Sequence, residues 1–135
     1  EEGVVAGGGV TLVNLSQLIT ADTNDSTAAG AGILKNALLE PFKQLMANAG
    51  LNAEAKLEKV LEAREGYGVD VNNPDRIVIL KDKGIVDPTR VVKGAIQNAV
   101  SVAGTAMTMG ALVNDVPEKT PAAPPMGGGG MDMGM

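Results

Sequence analysis

The sequence opens with Glu1-Glu2-Gly3-Val4-Val5-Ala6-Gly7-Gly8-Gly9-Val10, and its run of three glycines is the feature around which the rest of the chain is organised. Glycine reaches positive φ without strain and has no Cβ, so the run predicts a tight turn or a close approach to another group. Residues 10–19 carry apolar side chains at helical spacing and predict a first helix. Glycines at the start of a helix can present their N–H groups to an anion or a ligand. Alternatively, their only role is to let the helix and a neighbouring backbone pack closely. No Gly-Lys-Ser/Thr comes after the run, which excludes a Walker A loop.

The composition favours one helical domain. The chain has 135 residues, of which 44% are hydrophobic but only 1% aromatic, which favours close-packed helices over a sheet sandwich. A net charge of -5 argues against a nucleic-acid surface. Without Cys or His, disulfides, the common zinc sites and His-based catalytic dyads are excluded. Because the chain begins with Glu1 and shows no signal peptide, we expect a processed or excised fragment.

Two further helices are predicted in the first half of the chain. One ends at Ala49, with Gly50 at the position that favours a helix-terminating glycine. Pro41 lies in its middle and predicts a kink or a break, because proline lacks an N–H donor. The next helix, residues 52–64, has a narrow apolar seam and a charged face that we interpret as solvated.

Periodicity changes after Gly66. Residues 67–71 alternate, residues 72–75 have turn composition, and residues 77–80 are apolar and mostly β-branched. This pattern predicts a small β-hairpin set among helices. Because an isolated hairpin is only marginally stable, we expect it to pack on the helices or to cap a site.

The last helix is predicted from Pro88 to about Gly110, with Asp87 as a candidate N-cap. Residues 94–113 carry no charge, and a segment of this length could span a membrane. Polar residues and glycines, however, lower its hydrophobicity. We therefore predict a buried core helix rather than a membrane span. Residues 112–116 resemble a short strand, and residues 118–135 form a low-complexity Pro/Gly/Met tail that we expect to be mobile.

Four features occur in one order along the chain. They are the opening Glu-Glu-Gly-Val-Val-Ala-Gly-Gly-Gly, Gly-Tyr-Gly at 66–68, Gly-Ile-Val-Asp-Pro-Thr-Arg-Val at 84–91, and the Gly/Met tail. In combination they closely resemble the C-terminal part of the group I chaperonins, ATP-driven double-ring folding machines of bacteria and organelles. The resemblance covers essentially the whole chain.

The fold that this resemblance implies is mainly α. It is a helical bundle of the chaperonin equatorial-domain type with a small β-hairpin and a short C-terminal strand. Residues 1–117 would form the second half of this nucleotide-binding domain, and residues 118–135 a flexible tail.

The resemblance also implies a set of nucleotide-binding residues. In that family the glycine run approaches the nucleotide through its backbone, the acid of Asp-Pro-Thr faces the ribose, and the hairpin loop lies on the adenine side. The corresponding residues here are Gly7, Gly8, Gly9, Asp70, Val71, Asn72, Ile85 and Asp87. The loop departs from the commoner Asn-Ala-Ala and is one residue longer. A carboxylate suits paired sugar hydroxyls because it only accepts hydrogen bonds, although Asp87 could also be a plain N-cap.

The implied ligand is ATP or ADP, with Mg²⁺ and K⁺ in the full-length family. The family's phosphate loop, Asp-Gly-Thr-Thr, and its magnesium-binding Asp do not occur in this chain, and its water-positioning carboxylate lies upstream of Glu1. Phosphoryl transfer depends on positioning and metal-assisted charge stabilisation. We therefore expect no catalytic residue here and no ATPase activity from this chain alone; magnesium-dependent turnover by the purified chain would contradict this.

The implied partners are other chaperonin subunits in a double seven-membered ring, a co-chaperonin and unfolded substrate proteins, with no nucleic acid or membrane. The implied location is the bacterial cytoplasm or, alternatively, the mitochondrial matrix. Residues 112–116 would pair with a neighbouring subunit. Without the first half of the domain, we expect loose packing or self-association. The alternative interpretation is a nonenzymatic helical protein-interaction module, with structural glycines and the hairpin as a docking edge.

Overall fold

The computed structural model describes residues 2–20, 27–111 and 113. Helices dominate them, which confirms the predicted mainly α class. In chain order the elements are β1 (Val4–Ala6), α1 (Val10–Leu18), α2 (Thr27–Ala37), α3 (Glu40–Asn48), α4 (Ala53–Glu62), β2 (Tyr67–Val69), β3 (Ile77–Ile79), a 3-10 turn (Lys81–Lys83), β4 (Val86–Pro88) and α5 (Thr89–Thr108).

The strands form two antiparallel pairs. The predicted hairpin is confirmed as β2 and β3, with Gly68 opposite Val78. The other pair joins β1 to β4, which lie far apart in sequence, and sets Val5 opposite Asp87. Strand β1 was not predicted, because three residues ahead of a glycine run are too short for a periodic signal.

Local signals set the helix boundaries largely as predicted. The predicted break near Pro41 is confirmed: α2 ends at Ala37, and Pro41 lies in the first turn of α3, where its missing N–H is not needed. Gly50 comes directly after the end of α3 with φ 71°, as expected for a terminating glycine. Asn52 caps α4, since its side chain accepts a hydrogen bond from the Ala55 N–H at 3.1 Å.

The core lies where α1, α3 and α4 meet the hairpin. Its buried apolar residues are Ala6, Val10, Val13, Phe42, Met46, Leu57, Val60, Val69 and Leu80. Phe42 is the one aromatic side chain in this set and is fully buried, as is Leu80. The buried Ser16 hydroxyl donates to the Val13 carbonyl at 2.7 Å, so it adds no unpaired polar group to the core.

The prediction that the last helix is a buried core helix is wrong for this chain. No residue of α5 is buried, and Val102 and Met107 are 69% and 84% exposed. The helix is held mainly at its start, where it continues from β4. The residues that the structure describes place no element along the rest of its length that could cover it. None of the described helices is both long enough and apolar enough to cross a membrane.

The predicted strand at residues 112–116 and the tail at 118–135 lie outside the described residues, apart from Val113. The boundary at residue 117 therefore stays a prediction.

Candidate functional site

The glycine run forms the turn between β1 and α1. Gly8 and Gly9 have φ of 63° and 78°, a conformation that residues other than glycine adopt with strain. A Cβ on Gly9 would lie 2.9 Å from the Phe42 Cα, and one on Gly7 would lie 3.1 Å from the Val86 backbone. Packing therefore excludes an unshifted side chain at Gly9 and crowds one at Gly7, which supports the structural interpretation for these two positions.

Gly8 differs from its neighbours because its surroundings are open. The nearest atom to a Cβ built there is the Ile85 Cγ2, at 3.9 Å. Packing therefore does not explain the absence of a side chain at Gly8. Its backbone can therefore be approached from this side, and its nucleotide-binding role stays a prediction.

The pairing of β1 with β4 brings Ile85 and Asp87 to the glycine turn. The Gly7 N–H donates to the Ile85 carbonyl at 3.0 Å, and two residues further along the same ladder Asp87 lies opposite Val5. Four sequence-predicted positions, Gly7, Gly8, Ile85 and Asp87, thus lie within one short ladder and the turn at its end.

Asp87 does not cap α5, so the predicted N-cap role is wrong. The helix begins at Thr89, the capping position is Pro88, and no side-chain cap is present. Asp87 is instead held in the extended ladder by its pairing with Val5. Its side chain is half-buried, and no described residue forms a hydrogen bond or salt bridge with its carboxylate. A half-buried acceptor without a protein partner suits a ligand that donates hydrogen bonds.

The hairpin loop is ordered by its own contacts. The Asp70 carboxylate accepts the Asn72 N–H at 3.0 Å, and the Asp70 carbonyl accepts the Asn73 N–H at 2.9 Å. From α4, the Lys56 ammonium donates to the Pro74 carbonyl at 2.6 Å. Asp70 therefore shapes the loop through an Asx turn, a role that its sequence neighbours did not reveal.

The structure places the hairpin beside the glycine turn but joins its loop to α4. A Cβ on Gly68 would lie 2.6 Å from the Val10 Cγ2, so β2 packs against the first turn of α1. Among the described residues, no hydrogen bond or salt bridge links Asp70, Val71 or Asn72 to the glycines. The glycine turn, Ile85 and Asp87 form one cluster, and the loop is a separate neighbour.

A cavity lies away from this cluster. A groove of about 460 Å³ runs along β1, and none of the predicted site residues lines it. We call it the β1 groove; its lining residues are Val4, Val5, Ala6, Thr11, Asn14, Leu15, Gln17, Leu18, Glu65, Gly66, Ile79 and Lys81. Sequence reasoning missed it because one wall is β1, which has no periodic signal. Within the described part of the chain, no group of three or more acidic side chains could hold a metal ion.

Comparison with known proteins shows the family to which this chain belongs. The sequence model of the TCP-1/cpn60 chaperonin family matches residues 1–117. The chain belongs to this family. Among solved structures, the open-state monomer of a group II chaperonin from Methanococcoides burtonii is similar, with a TM-score of 0.71 at 21% identity.

That match covers 78% of this chain but only 28% of the group II chaperonin chain. At this identity it shows the fold, and the chain spans little more than a quarter of that protein's length. Family membership and the equatorial-type helical fold are therefore confirmed. The family model includes both chaperonin groups, so the resemblance to group I stays a prediction.

Proposed function

We propose that this chain is the second half of the nucleotide-binding domain of an ATP-dependent chaperonin that assists protein folding. It contributes one wall of the nucleotide pocket, formed by the glycine turn, Ile85 and Asp87. The single observation that carries the proposal is the β1–β4 ladder, because it joins an unobstructed Gly8 backbone to the Asp87 carboxylate, which has no partner among the described residues. The subunit contacts, the co-chaperonin and the group I assignment belong to this proposal through the family alone.

The residues present fit a nucleoside. The Asp87 carboxylate can accept hydrogen bonds from two ribose hydroxyls, and Gly8 lets a ring or sugar edge approach the backbone. Ile85 is half-buried beside Gly8 and offers an apolar surface for a base. The bound ligand would be ATP or ADP. Its phosphates and Mg²⁺ would need residues from outside this chain, so we expect binding by this chain to be weak and hydrolysis to be absent.

The hairpin loop contributes to this proposal in a more limited way. Its Asx turn fixes the backbone of Val71 and Asn72, and Val71 is 49% exposed. A base could therefore contact the loop backbone or the Val71 side chain. The Asp70 carboxylate already accepts one loop N–H, which leaves it with less capacity for direct recognition of the base.

A proton–nitrogen correlation spectrum of the uniformly labelled chain, with and without millimolar ATP and Mg²⁺, tests the proposal. We expect amide shifts at Gly8, Ile85 and Asp87. The Gly8→Ala variant should abolish them, because its methyl projects into the open space that the ligand would occupy.

Gly50→Ala is the matched control. Gly50 has a similar positive φ of 71°, and a Cβ there meets nothing within 4 Å, so both variants carry the same backbone strain. Shifts that survive Gly8→Ala, or that are confined to residues away from the β1–β4 ladder, would refute this binding site.

A second candidate function is a nonenzymatic helical interaction module. It is favoured by the exposed apolar surface of α5, where Val91, Val100 and Val102 are all more than half exposed. Contiguous exposed apolar surface marks interaction sites. An ATP-independent change of sedimentation coefficient with protein concentration, without any ATP-induced amide shift, would favour this module over the nucleotide-binding proposal.

A further inference from the structure

The base of the hairpin is joined to the candidate nucleotide cluster. The Ile85 N–H donates to the Leu80 carbonyl at 2.9 Å, and Leu80, which comes directly after β3, is fully buried. On the other strand, a Cβ on Gly68 would lie 2.6 Å from the Val10 Cγ2, so β2 packs against the first residue of α1. These two contacts fix the base of the hairpin beside Ile85 and beside the helix that begins at the glycine turn.

The hairpin loop, residues 70–76, lies further along the same two strands. A strand rises about 3.3 Å per residue, so Asp70 lies about 7 Å along β2 from the contact between Gly68 and α1. This distance is within the length of a nucleoside. A nucleoside at the glycine turn can therefore contact the loop, provided that the hairpin keeps a fixed direction.

One side chain ties this loop to another element of the fold. The Lys56 ammonium, from α4, donates to the Pro74 carbonyl at 2.6 Å. The other hydrogen bonds of the loop are accepted by Asp70 and stay within the loop. Among the described residues, the bond from Lys56 is therefore the one hydrogen bond that links residues 70–76 to a different element, and it fixes the direction in which the hairpin extends.

The backbone that carries Lys56 is itself held firmly. Helix α4 packs on the core through its buried residues Leu57 and Val60. The Lys56 N–H donates to the carbonyl of Asn52, the residue that caps this helix, at 3.1 Å. Lys56 is half-buried and forms no salt bridge with the described residues, so no carboxylate among them competes for its ammonium. The bond to Pro74 therefore connects the loop to a rigid part of the domain.

We propose that Lys56 is a positioning residue for the nucleotide base. By holding the Pro74 carbonyl, it places the hairpin loop beside the base of a nucleotide that is bound at the glycine turn. This role rests on the proposed function and deepens it, because it assigns selection for a base to a side chain that does not touch the ligand. Gly8 and Asp87, on the sugar side, are held by the β1–β4 ladder and not by Lys56. Loss of the Lys56 ammonium should therefore weaken binding of the base and leave binding of the sugar unchanged.

Two ligands separate these contributions: ATP, and ribose 5-triphosphate, which lacks the base. Each is titrated into the labelled 135-residue chain, and its affinity is measured from the amide shifts at Gly8 and Asp87. With the wild type, ATP should also shift the amides of Val71 and Asn72 and slow hydrogen exchange of the Asn73 amide, which is bonded within the loop. Ribose 5-triphosphate should leave these loop amides unchanged.

Lys56→Met removes the ammonium donor and keeps an apolar stem of similar length. Because a charge-assisted hydrogen bond is lost from the loop, ATP affinity should fall about tenfold. Affinity for ribose 5-triphosphate should change less than about twofold, because the sugar-side residues share no partner with Lys56. The matched control is Lys59→Met, which should change neither affinity, since Lys59 lies on the same helix, is exposed and forms no side-chain hydrogen bond or salt bridge with the described residues.

Three results would overturn the proposal, each for a different reason. An unchanged ATP affinity in Lys56→Met, or an equal loss for both ligands, would leave Lys56 with a structural role alone. ATP-induced shifts at Gly8 and Asp87 of the wild type without any shift in the loop would refute base positioning and leave the nucleotide site intact; this result does not depend on whether Lys56→Met folds. No ATP-induced shift at Gly8, Ile85 or Asp87 of the wild type would refute the proposed function and the role of Lys56 together.

Discussion

Replacing Gly9 by alanine should be among the most damaging single-methyl changes in this chain. Two separate costs apply. The residue has φ 78°, and placing an L side chain in the left-handed region costs about 1–2 kcal/mol. The added Cβ would also lie 2.9 Å from the Phe42 Cα and 3.0 Å from its backbone nitrogen.

The steric cost is high because the opposing atoms are backbone atoms of α3. Phe42 is fully buried, so its backbone cannot move without disturbing the core. Overpacking of this kind costs about 1–3 kcal/mol. The free energy of unfolding of Gly9→Ala should therefore fall by about 2–5 kcal/mol, a large share of the total stability of a small domain.

Gly50→Ala measures the conformational cost of a side chain at positive φ without any steric clash. It has almost the same φ, 71°, and nothing lies within 4 Å of its added Cβ, so only the conformational cost of about 1–2 kcal/mol applies. In urea unfolding monitored by far-ultraviolet circular dichroism, the Gly9→Ala midpoint should lie about 1 M or more below that of Gly50→Ala. Equal midpoints for the two variants would refute the close packing of the glycine turn against α3.

Three further predictions concern the core and the helices. Phe42→Ala should lower the free energy of unfolding by about 3–5 kcal/mol, because it empties a fully buried site; a loss below about 1 kcal/mol in urea unfolding would contradict that burial. Asn52→Ala should lower the free energy of unfolding by about 1 kcal/mol, because it removes the side chain that caps the Ala55 N–H. Asn52→Gly should lower it by only a few tenths of a kcal/mol in the same urea unfolding assay. The Lys43 ammonium donates to the Glu54 carboxylate at 2.9 Å, and this hydrogen bond raises the pKa of Lys43 above its usual value. The pair therefore stabilises the folded chain at neutral pH, and this stabilisation is lost as the pH rises through the raised pKa. The stability difference between the wild type and Lys43→Met should accordingly shrink in alkaline urea titrations, and a difference that grows with pH would contradict the pairing.

The helical elements were largely predictable because their signals are local. Pro41 fixes a helix start, Gly50 a helix end and Asn52 a cap, each through the backbone geometry and hydrogen bonds of its own neighbourhood. The hairpin was predictable for the same reason, since alternation and turn residues lie within a few positions of each other.

The candidate site was only partly predictable. The motifs that resemble chaperonins pointed to Gly8, Ile85 and Asp87, and the structure brings these three together through the β1–β4 ladder. The sequence could not show that ladder, because its two strands have three residues each and are separated by helices α1 to α4 and the hairpin. It also misassigned Asp87 as a helix cap, since an acid before Pro-Thr has the same local pattern in a strand and at a helix start.

Residue chemistry along the chain determined by itself that this protein is helical, where its helices break, and which family its glycine and Asp-Pro-Thr motifs resemble. Only the tertiary structure decided that a side chain is excluded at Gly9 and crowded at Gly7 whereas Gly8 is open, that α5 is exposed, and that β1 pairs with β4. The physical reason is that capping and turn preferences depend on neighbouring residues. Burial, Cβ clearance and strand pairing depend instead on residues that are distant in sequence and meet only in the fold.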